Sequence, residues 1–407
     1  MKYEYRLVVI FFLGWGLVFL DRNALALLLP VMVGDMSLNN TQIGQINMWQ
    51  SIGYAISGPL FAILSDRLGS KKRIIVLAVL ATSIFALLTT FASSYSYLLV
   101  IRTLLGASEG AFMPIVATIV AAASSPGRFG RNIGIVYCGA SLIAGTLGPV
   151  TVTKLAALTN WRSTFLLVSI PSFIVMLLIW KFIKEVPAQP AVENREQSEN
   201  KREIFLETLK YRNVLICTFI SIFSMAGLWT IMSFSPIYFT AVGKLSIEKM
   251  GLVMSIFGIS AILWQYIVAN TSDYIGRKPT LIICAILAII VPLTMYFSPV
   301  GWLSIVTFIL LAGAITSYPV LFTSIIPVES VPPRLGAMAC AIILGVGELI
   351  GSFAIGLSGS LADAFGLPVV MIIAAVVLFI AVLFGISLKE SNARKIKPVI
   401  LNAETGS

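Results

Sequence analysis

Two pairs of opposite charges stand inside stretches that are otherwise mostly apolar. In "VFLDRNALALLLP" (18–30) Asp21 is followed directly by Arg22, and in "RTLLGASEGAFMP" (102–114) Arg102 precedes Glu109 by seven residues. Seven residues make two helical turns, so Arg102 and Glu109 share a helix face about 10 Å apart along the axis. Asp21 and Arg22 are rotated by about 100° from each other, so one can face a cavity squarely while the other leans toward a neighbouring helix. A carboxylate in such surroundings can take up and release a proton, and an arginine fork can hold a carboxylate through two parallel hydrogen bonds. Asp21 and Glu109 are therefore candidate proton carriers. Arg22 is the candidate charge partner of Asp21 and, with Arg102, a candidate anion ligand. The plainer alternative is a set of buried salt bridges that locks two helices together. Such pairs are often no more stabilising than packed apolar side chains, so stability explains them poorly.

Other chemistries are narrowed by what the chain contains. There is no histidine, which excludes histidine metal sites and Ser-His-Asp triads and leaves proton chemistry at neutral pH to carboxylates. The four cysteines, Cys138, Cys217, Cys284 and Cys340, fall inside apolar runs without paired ligand spacing and read as small buried hydrophobes. No cofactor loop or catalytic constellation is present, so neither an enzyme nor a cofactor is expected, and no metal site.

The elements that carry these charges are membrane spans. The composition is 58% hydrophobic and 11% charged, with apolar runs of about twenty residues recurring from end to end. Runs bounded by Gly, Pro, Asn or charge predict helices near 7–33, 41–64, 73–93, 96–123, 131–154 and 161–183, then near 212–240, 246–271, 278–298, 301–326, 335–358 and 367–388. The expected fold is an all-α polytopic membrane protein with six spans (1–183), a linker (184–211), six more spans (212–388) and a tail (389–407). The first run lacks a small-residue cleavage pattern and is expected to stay as span 1. On an insertion scale each buried charge at mid-bilayer costs ~2.5–3.5 kcal/mol, so Asp21, Arg22, Arg102 and Glu109 are functional candidates by default.

Lys and Arg are distributed unequally over the loops. Lys154, Arg162, Lys244 and Lys249 lie on one side, and the other loops and tails, from Lys2 and Arg6 to Lys389, Arg394, Lys395 and Lys397, lie on the other. The positive-inside rule makes the rich side cytoplasmic, so both termini and the linker are expected inside, in an inner (plasma) membrane. The net charge of +10 follows from this topology, and no nucleic-acid partner is needed. The expected partners are the lipid bilayer, a small organic anion and H⁺, with the chain acting as a monomer. The linker "KEVPAQPAVENREQSENKREIFLETLK" (184–210) reads as a solvated tether whose end, from about Glu203, could form a short amphipathic surface helix.

The two halves repeat. "GPLFAILSDRLGSKKR" (58–73) follows span 2 and "QYIVANTSDYIGRKP" (265–279) follows span 8, with Asp66 matching Asp273, Gly69 matching Gly276 and Lys71 matching Lys278 at one offset. Glycine permits a tight turn, the aspartate can cap a neighbouring helix end, and the basic cluster stays cytoplasmic. Two such loops in register resemble the signature loop of the major facilitator superfamily over nearly the whole chain. The resemblance implies two pseudo-symmetric six-helix bundles around a central cavity, working by alternating access about a midplane site. It also implies gating roles for Gly58, Asp66, Arg67 and Gly69, and for Asp273, Gly276 and Arg277.

Further stretches, "SLNNTQIGQ" (37–45), "NWRSTFLL" (160–167), "SFSPIYF" (233–239) and "VESVPPRLGAMA" (328–339), together with the two charged runs, resemble the anion:cation symporter branch. Its members carry sugar acids, hexuronates, sialic acid and other organic anions, mostly with protons. At the repeat offset Asp21, Arg22, Arg102 and Glu109 correspond to Leu228, Trp229, Ile309 and Thr316, so proton coupling is expected in the first half. Glu348, in "ILGVGELIGSF" (343–353), stands where that branch more often has an amide. It could titrate, bind a substrate hydroxyl, pair with an arginine of the other half, or be a neutral packing element. Tyr54, Ser141, Trp229, Ser233, Tyr238 and Tyr318 are candidate neutral ligands, each with ordinary helix packing as the alternative. Phe19 replaces a tyrosine usual in the branch, and Ser141 is shorter than the usual amide, which weakens the fit to a typical sugar acid. The expected function is proton-coupled symport of an organic anion. The alternative is a proton-coupled exporter of amphipathic compounds, because "GASLIAGTLGPV" (139–150) partly resembles the motif of drug/proton exchangers, although close helix packing through small residues explains it as well. A ligand-sensing receptor of the same fold is the third possibility, and expects a sizeable signalling domain.

Overall fold

A computed structural model describes residues 3–185 and 201–392. Most of the linker (186–200) and of the tail (393–407) lies outside the described residues, as does the side chain of Asp66. The described chain is all-helical, and its long runs follow the predicted spans within about four residues, except that the eleventh runs to Phe365, seven residues past its predicted end. The helices are α1 (Tyr3–Met36), α2 (Asn40–Leu68), α3 (Lys71–Thr89), α4 (Tyr95–Glu109), α5 (Phe112–Ala123), α6 (Phe129–Gly139), α7 (Gly148–Leu158) and α8 (Trp161–Phe182). After α9 (Lys201–Thr208), at the linker's end, come α10 (Arg212–Ala241), α11 (Ile247–Ile275), α12 (Arg277–Phe297), α13 (Trp302–Ser317), α14 (Ile326–Ser330), α15 (Pro333–Phe365) and α16 (Val369–Ile386). Eleven of the helical runs are long and apolar enough to cross a membrane. α2 is as long as the others, but its first half carries Asn40, Gln42, Gln45, Asn47 and Gln50, which lower its hydropathy.

Local sequence explains the ends and the breaks. Asn39 caps α2 reciprocally with Gln42: the Gln42 N–H donates to Asn39 Oδ1 at 2.8 Å and the Asn39 N–H to Gln42 Oε1 at 3.1 Å. Gly69 ends α2 at φ 62°, a left-handed turn that favours glycine, as the repeated loop predicts. Span 4 breaks between α4 and α5 at Gly110 and Ala111, where Pro114 supplies no N–H to the Gly110 carbonyl. Span 5 winds as π-helix over Ala140–Leu147, just before Pro149, and span 10 does the same over Leu321–Ile325, just after Pro319.

The chain divides into two compact units. One comprises Met1–Val192, Met232–Ile259 and Ile355–Pro368, and the other Glu193–Ile231, Ser260–Ala354 and Val369–Ser407. Within the first, α2 and α4 touch backbone to backbone: a Cβ on Gly106 would lie 2.0 Å from the Gln50 carbonyl. α1 approaches the end of α6 as closely, where a Cβ on Gly139 would lie 2.1 Å from the Phe12 carbonyl. Trp15 stacks on Phe112 at 5.5 Å between ring centroids. The last two contacts set the register of α1 against α5 and α6, and Glu109 ends α4 just before α5. Gly145 meets Gly258 of α11, whose Cβ would lie 2.1 Å from the Gly145 carbonyl, so the glycines of residues 139–150 serve close packing. In the second unit, α12 packs on α13 and α16, and Phe219 stacks on Phe384 at 4.9 Å.

Candidate functional site

Asp21, Arg22, Arg102 and Glu109 gather in the first unit, none more than 7% exposed. The Arg22 guanidinium meets Glu109 Oε2 at 3.4 Å, donates to Ser51 Oγ at 3.0 Å and lies over the Tyr54 ring at 4.9 Å. The ion pair thus joins α1 to α4, with α2 supplying the hydroxyl and the aromatic face. Asp21 turns elsewhere: its Oδ2 accepts from Ser172 Oγ of α8 at 2.6 Å. Arg102, fully buried, donates from Nη1 to the Asp21 backbone carbonyl at 3.1 Å and lies over the Phe165 ring at 4.8 Å. Its Nε and Nη2 have no hydrogen-bond partner among the described residues. A buried guanidinium edge with two unused donors matches the two oxygens of a carboxylate.

The sequence reading paired Arg22 with Asp21, and the carboxylate found against Arg22 is that of Glu109. The 100° offset between adjacent residues explains this, because it aims Asp21 at α8 and Arg22 at α2 and α4. Tyr54 belongs to the cluster. Ser141, partly exposed, stands in the π-helical stretch, whose widened turn has Thr146 Oγ1 donating to the Ser141 carbonyl at 3.0 Å. Ser233 is buried, and Tyr238 is fully buried at 0% exposure.

In the second unit Trp229 and Glu348, two separately nominated residues, meet: Trp229 Nε1 donates to Glu348 Oε2 at 2.8 Å. Tyr318 is also fully buried, with its ring against Phe322 at 5.4 Å.

The repeated loops are built alike. In the first, Glu185 Oε2 accepts from Ser70 Oγ at 2.8 Å and its Oε1 from the Lys72 N–H at 3.1 Å, capping α3. In the second, Glu390 accepts from the N–H groups of Arg277 at 2.9 Å and Lys278 at 3.1 Å, capping α12 behind Gly276 at φ 110°. Arg277 also pairs with Asp273 at 2.5 Å and Glu329 at 2.9 Å. Gly58 lies close to the Gly110 carbonyl, at 3.2 Å from a Cβ built on it, and Arg67 lies in the last turn of α2.

Ser51, Ser172, Glu185, Glu390 and Asp363 escaped the sequence reading. Glu185 and Glu390 had a readable signal, a Lys-Glu pair just beyond the sixth and the twelfth span. Asp363, near the end of α15, accepts from the N–H groups of Asn40 at 2.9 Å and Thr41 at 2.8 Å, and from Thr41 Oγ1 at 2.6 Å. It thereby binds the start of α2 within the first unit. No cluster of three or more metal-ligating side chains occurs among the described residues.

The chain matches the family model described as Major Facilitator Superfamily over residues 11–327 and 214–403. It is 29% identical over 282 residues to a hexuronate transporter of Bacillus subtilis, covering 68% of this chain and 66% of that one. It is 27% identical over 386 residues to a probable 4-methylmuconolactone transporter of Cupriavidus pinatubonensis, covering 92% and 88%. It is also 27% identical over 273 residues to a multi-drug resistance efflux pump of Streptococcus pneumoniae, covering 65% and 66%. In fold it resembles a bacterial homologue of the human lysosomal transporter Spinster, with a TM-score of 0.82 at 18% identity, covering 95% of this chain and 96% of that one.

Proposed function

The chain belongs to the major facilitator superfamily, a multi-pass membrane transporter rather than an enzyme, and from that premise we propose that it carries an organic anion, a sugar acid or other carboxylate, in symport with protons by alternating access. Residues 1–183 and 212–388 are the two bundles that rock, both termini are cytoplasmic, and the protein works as a monomer in the plasma membrane.

The observation that supports this reading most is the buried network of the first unit. Arg102 keeps two unused donors, and Arg22 is shared between Glu109 and neutral groups. A substrate carboxylate and ionised Glu109 compete for the Arg22 fork. Protonating Glu109 removes its charge and frees Arg22 for the substrate, since an uncompensated buried charge is costly. One proton thereby becomes a condition for holding one anion. Asp21, held by Ser172 beside Arg102, is the second proton carrier. The relatives named as a hexuronate transporter and a probable 4-methylmuconolactone transporter agree with a carboxylate-type cargo.

The efflux-pump relative keeps export of amphipathic compounds as the second reading. Uptake into proteoliposomes under an imposed pH gradient tests both, with glucuronate, galacturonate, and aliphatic and aromatic carboxylates offered beside their neutral amides. The symport reading expects acid-driven accumulation of a carboxylate and little of its amide. Equal handling of acid and amide contradicts it.

A further inference from the structure

A cleft of about 540 Å³ opens in the first unit between the first turns of α3 and the end of α8, lined by Lys72, Arg73, Val76, Leu77, Trp180 and Glu185. It belongs to the Lys/Arg-rich end of the helices, well away from the buried network: Ser172 and Trp180 are eight residues apart on α8, about 12 Å along its axis. The lining is ordered by chemistry. Lys72 and Val76 are four residues apart on one ridge of α3, and Arg73 and Leu77 on the next, so each cation stands about one turn, roughly 5–6 Å, nearer the helix start than the apolar side chain beneath it. Leu77 and Trp180 are each 62% exposed.

The acidic member of the lining offsets only one of the two cations in charge, and its oxygens face other donors. Both Glu185 oxygens are engaged, by Ser70 Oγ and by the Lys72 backbone N–H. Among the described residues neither Lys72 nor Arg73 has an ion-pair partner for its side chain. A soluble anion would use the two cations and leave the apolar wall without a role, and a neutral lipid would do the reverse. A molecule that uses both carries negative charge at one end and hydrocarbon at the other. Tryptophan at the membrane–water interface and basic residues at headgroup level mark the depth at which such a molecule lies.

We propose that this cleft seats an anionic glycerophospholipid, its phosphate between Lys72 and Arg73 and one acyl chain along Val76, Leu77 and Trp180. Because Lys72 is also the residue whose N–H Glu185 caps, an occupied seat braces the first turn of α3, directly after the repeated loop.

The test uses the full chain in phosphatidylcholine nanodiscs, with rising fractions of dibrominated phosphatidylglycerol or dibrominated phosphatidylcholine, whose bromines quench tryptophan on contact. The difference between the wild type and Trp180→Phe isolates the Trp180 signal. Half-quenching is expected at about tenfold lower mole fraction for the glycerol lipid than for the choline lipid, falling to about twofold or less in the Lys72→Gln/Arg73→Gln double variant. Equal quenching by the two lipids in the wild type, or a preference that survives the double variant, overturns the proposal. So does an equal effect of dibrominated phosphatidylethanolamine, which would mean that net headgroup charge is not read. Excess inorganic phosphate is expected to leave the titration unchanged, and competition by it would identify a soluble-anion site instead.

Discussion

Arg22 of α1 and Glu109 of α4 meet at 3.4 Å across 87 residues of sequence, both buried. Charge-assisted hydrogen bonds of this type are commonly about 2.7–2.9 Å, so this contact is longer than a close charge-assisted pair. In the proposed cycle a substrate carboxylate takes the place of Glu109 there, the step that couples proton and anion.

Glu109→Gln and Asp21→Asn keep side-chain shape but cannot exchange a proton. Each is expected to abolish accumulation driven by a pH gradient while leaving substrate counterflow measurable. Full acid-driven accumulation in both variants would remove the two residues from the coupling mechanism.

Arg102→Lys keeps the charge but loses the planar fork. Binding of a carboxylate substrate is expected to weaken by about tenfold to a hundredfold, the scale of one or two hydrogen bonds to a charged group, while the neutral amide analogue is little affected. Isothermal titration in detergent with acid and amide measures the difference, and an equal loss for both would point to a packing role.

Asp363→Asn withdraws the charge that caps the start of α2 through Asn40 and Thr41. A carboxylate at a helix N-terminus contributes about 0.3–1 kcal/mol, more when partly buried. Met48 of α2 packs its sulfur against Gly356 of α15, and in a cysteine-free background labelling of Met48→Cys by an impermeant maleimide from the Lys/Arg-poor side is expected to quicken by about twofold to fivefold. An unchanged rate would make Asp363 a local cap without influence on access.

The Trp229–Glu348 bond supplies a test of the second half. Glu348→Gln retains an oxygen that can accept from the indole and is expected to leave thermal stability in detergent nearly unchanged. Trp229→Phe removes the indole's hydrogen bond to the Glu348 carboxyl and is expected to cost about 1–3 kcal/mol. If instead Glu348→Gln alters substrate affinity without altering stability, the carboxyl acts on the substrate directly.

The spans were legible in the sequence because hydrophobic length and bounding Gly, Pro and Asn report directly on helices that must satisfy their own backbone in lipid. The buried charges were legible for the same reason: Asp21 and Arg102 stand out against Leu, Ile and Val. Their pairing was not, because a helical offset says that Asp21 and Arg22 diverge without saying which of α2, α4 and α8 each one meets. Ser51 and Ser172 left no trace, since a single serine in a span is ordinary. Asp363 was unreadable for a related reason: its partners lie 322 and 323 residues away, and only the packing of α15 on α2 joins them. The π-helical stretches carried only the weak hint of Gly-rich sequence beside Pro149 and of Pro319.

If one carboxylate enters together with protons through the Arg22–Glu109 network, substrate entry must itself move protons. Proteoliposomes loaded with a pH-sensitive dye and held at zero initial pH and voltage gradient are given a carboxylate identified in the uptake panel, with protein-free liposomes as the control for passive acid entry. Internal acidification is expected that depends on substrate and protein and is lost in Glu109→Gln although substrate exchange persists. Substrate entry without acidification, or acidification undiminished in Glu109→Gln, would contradict it.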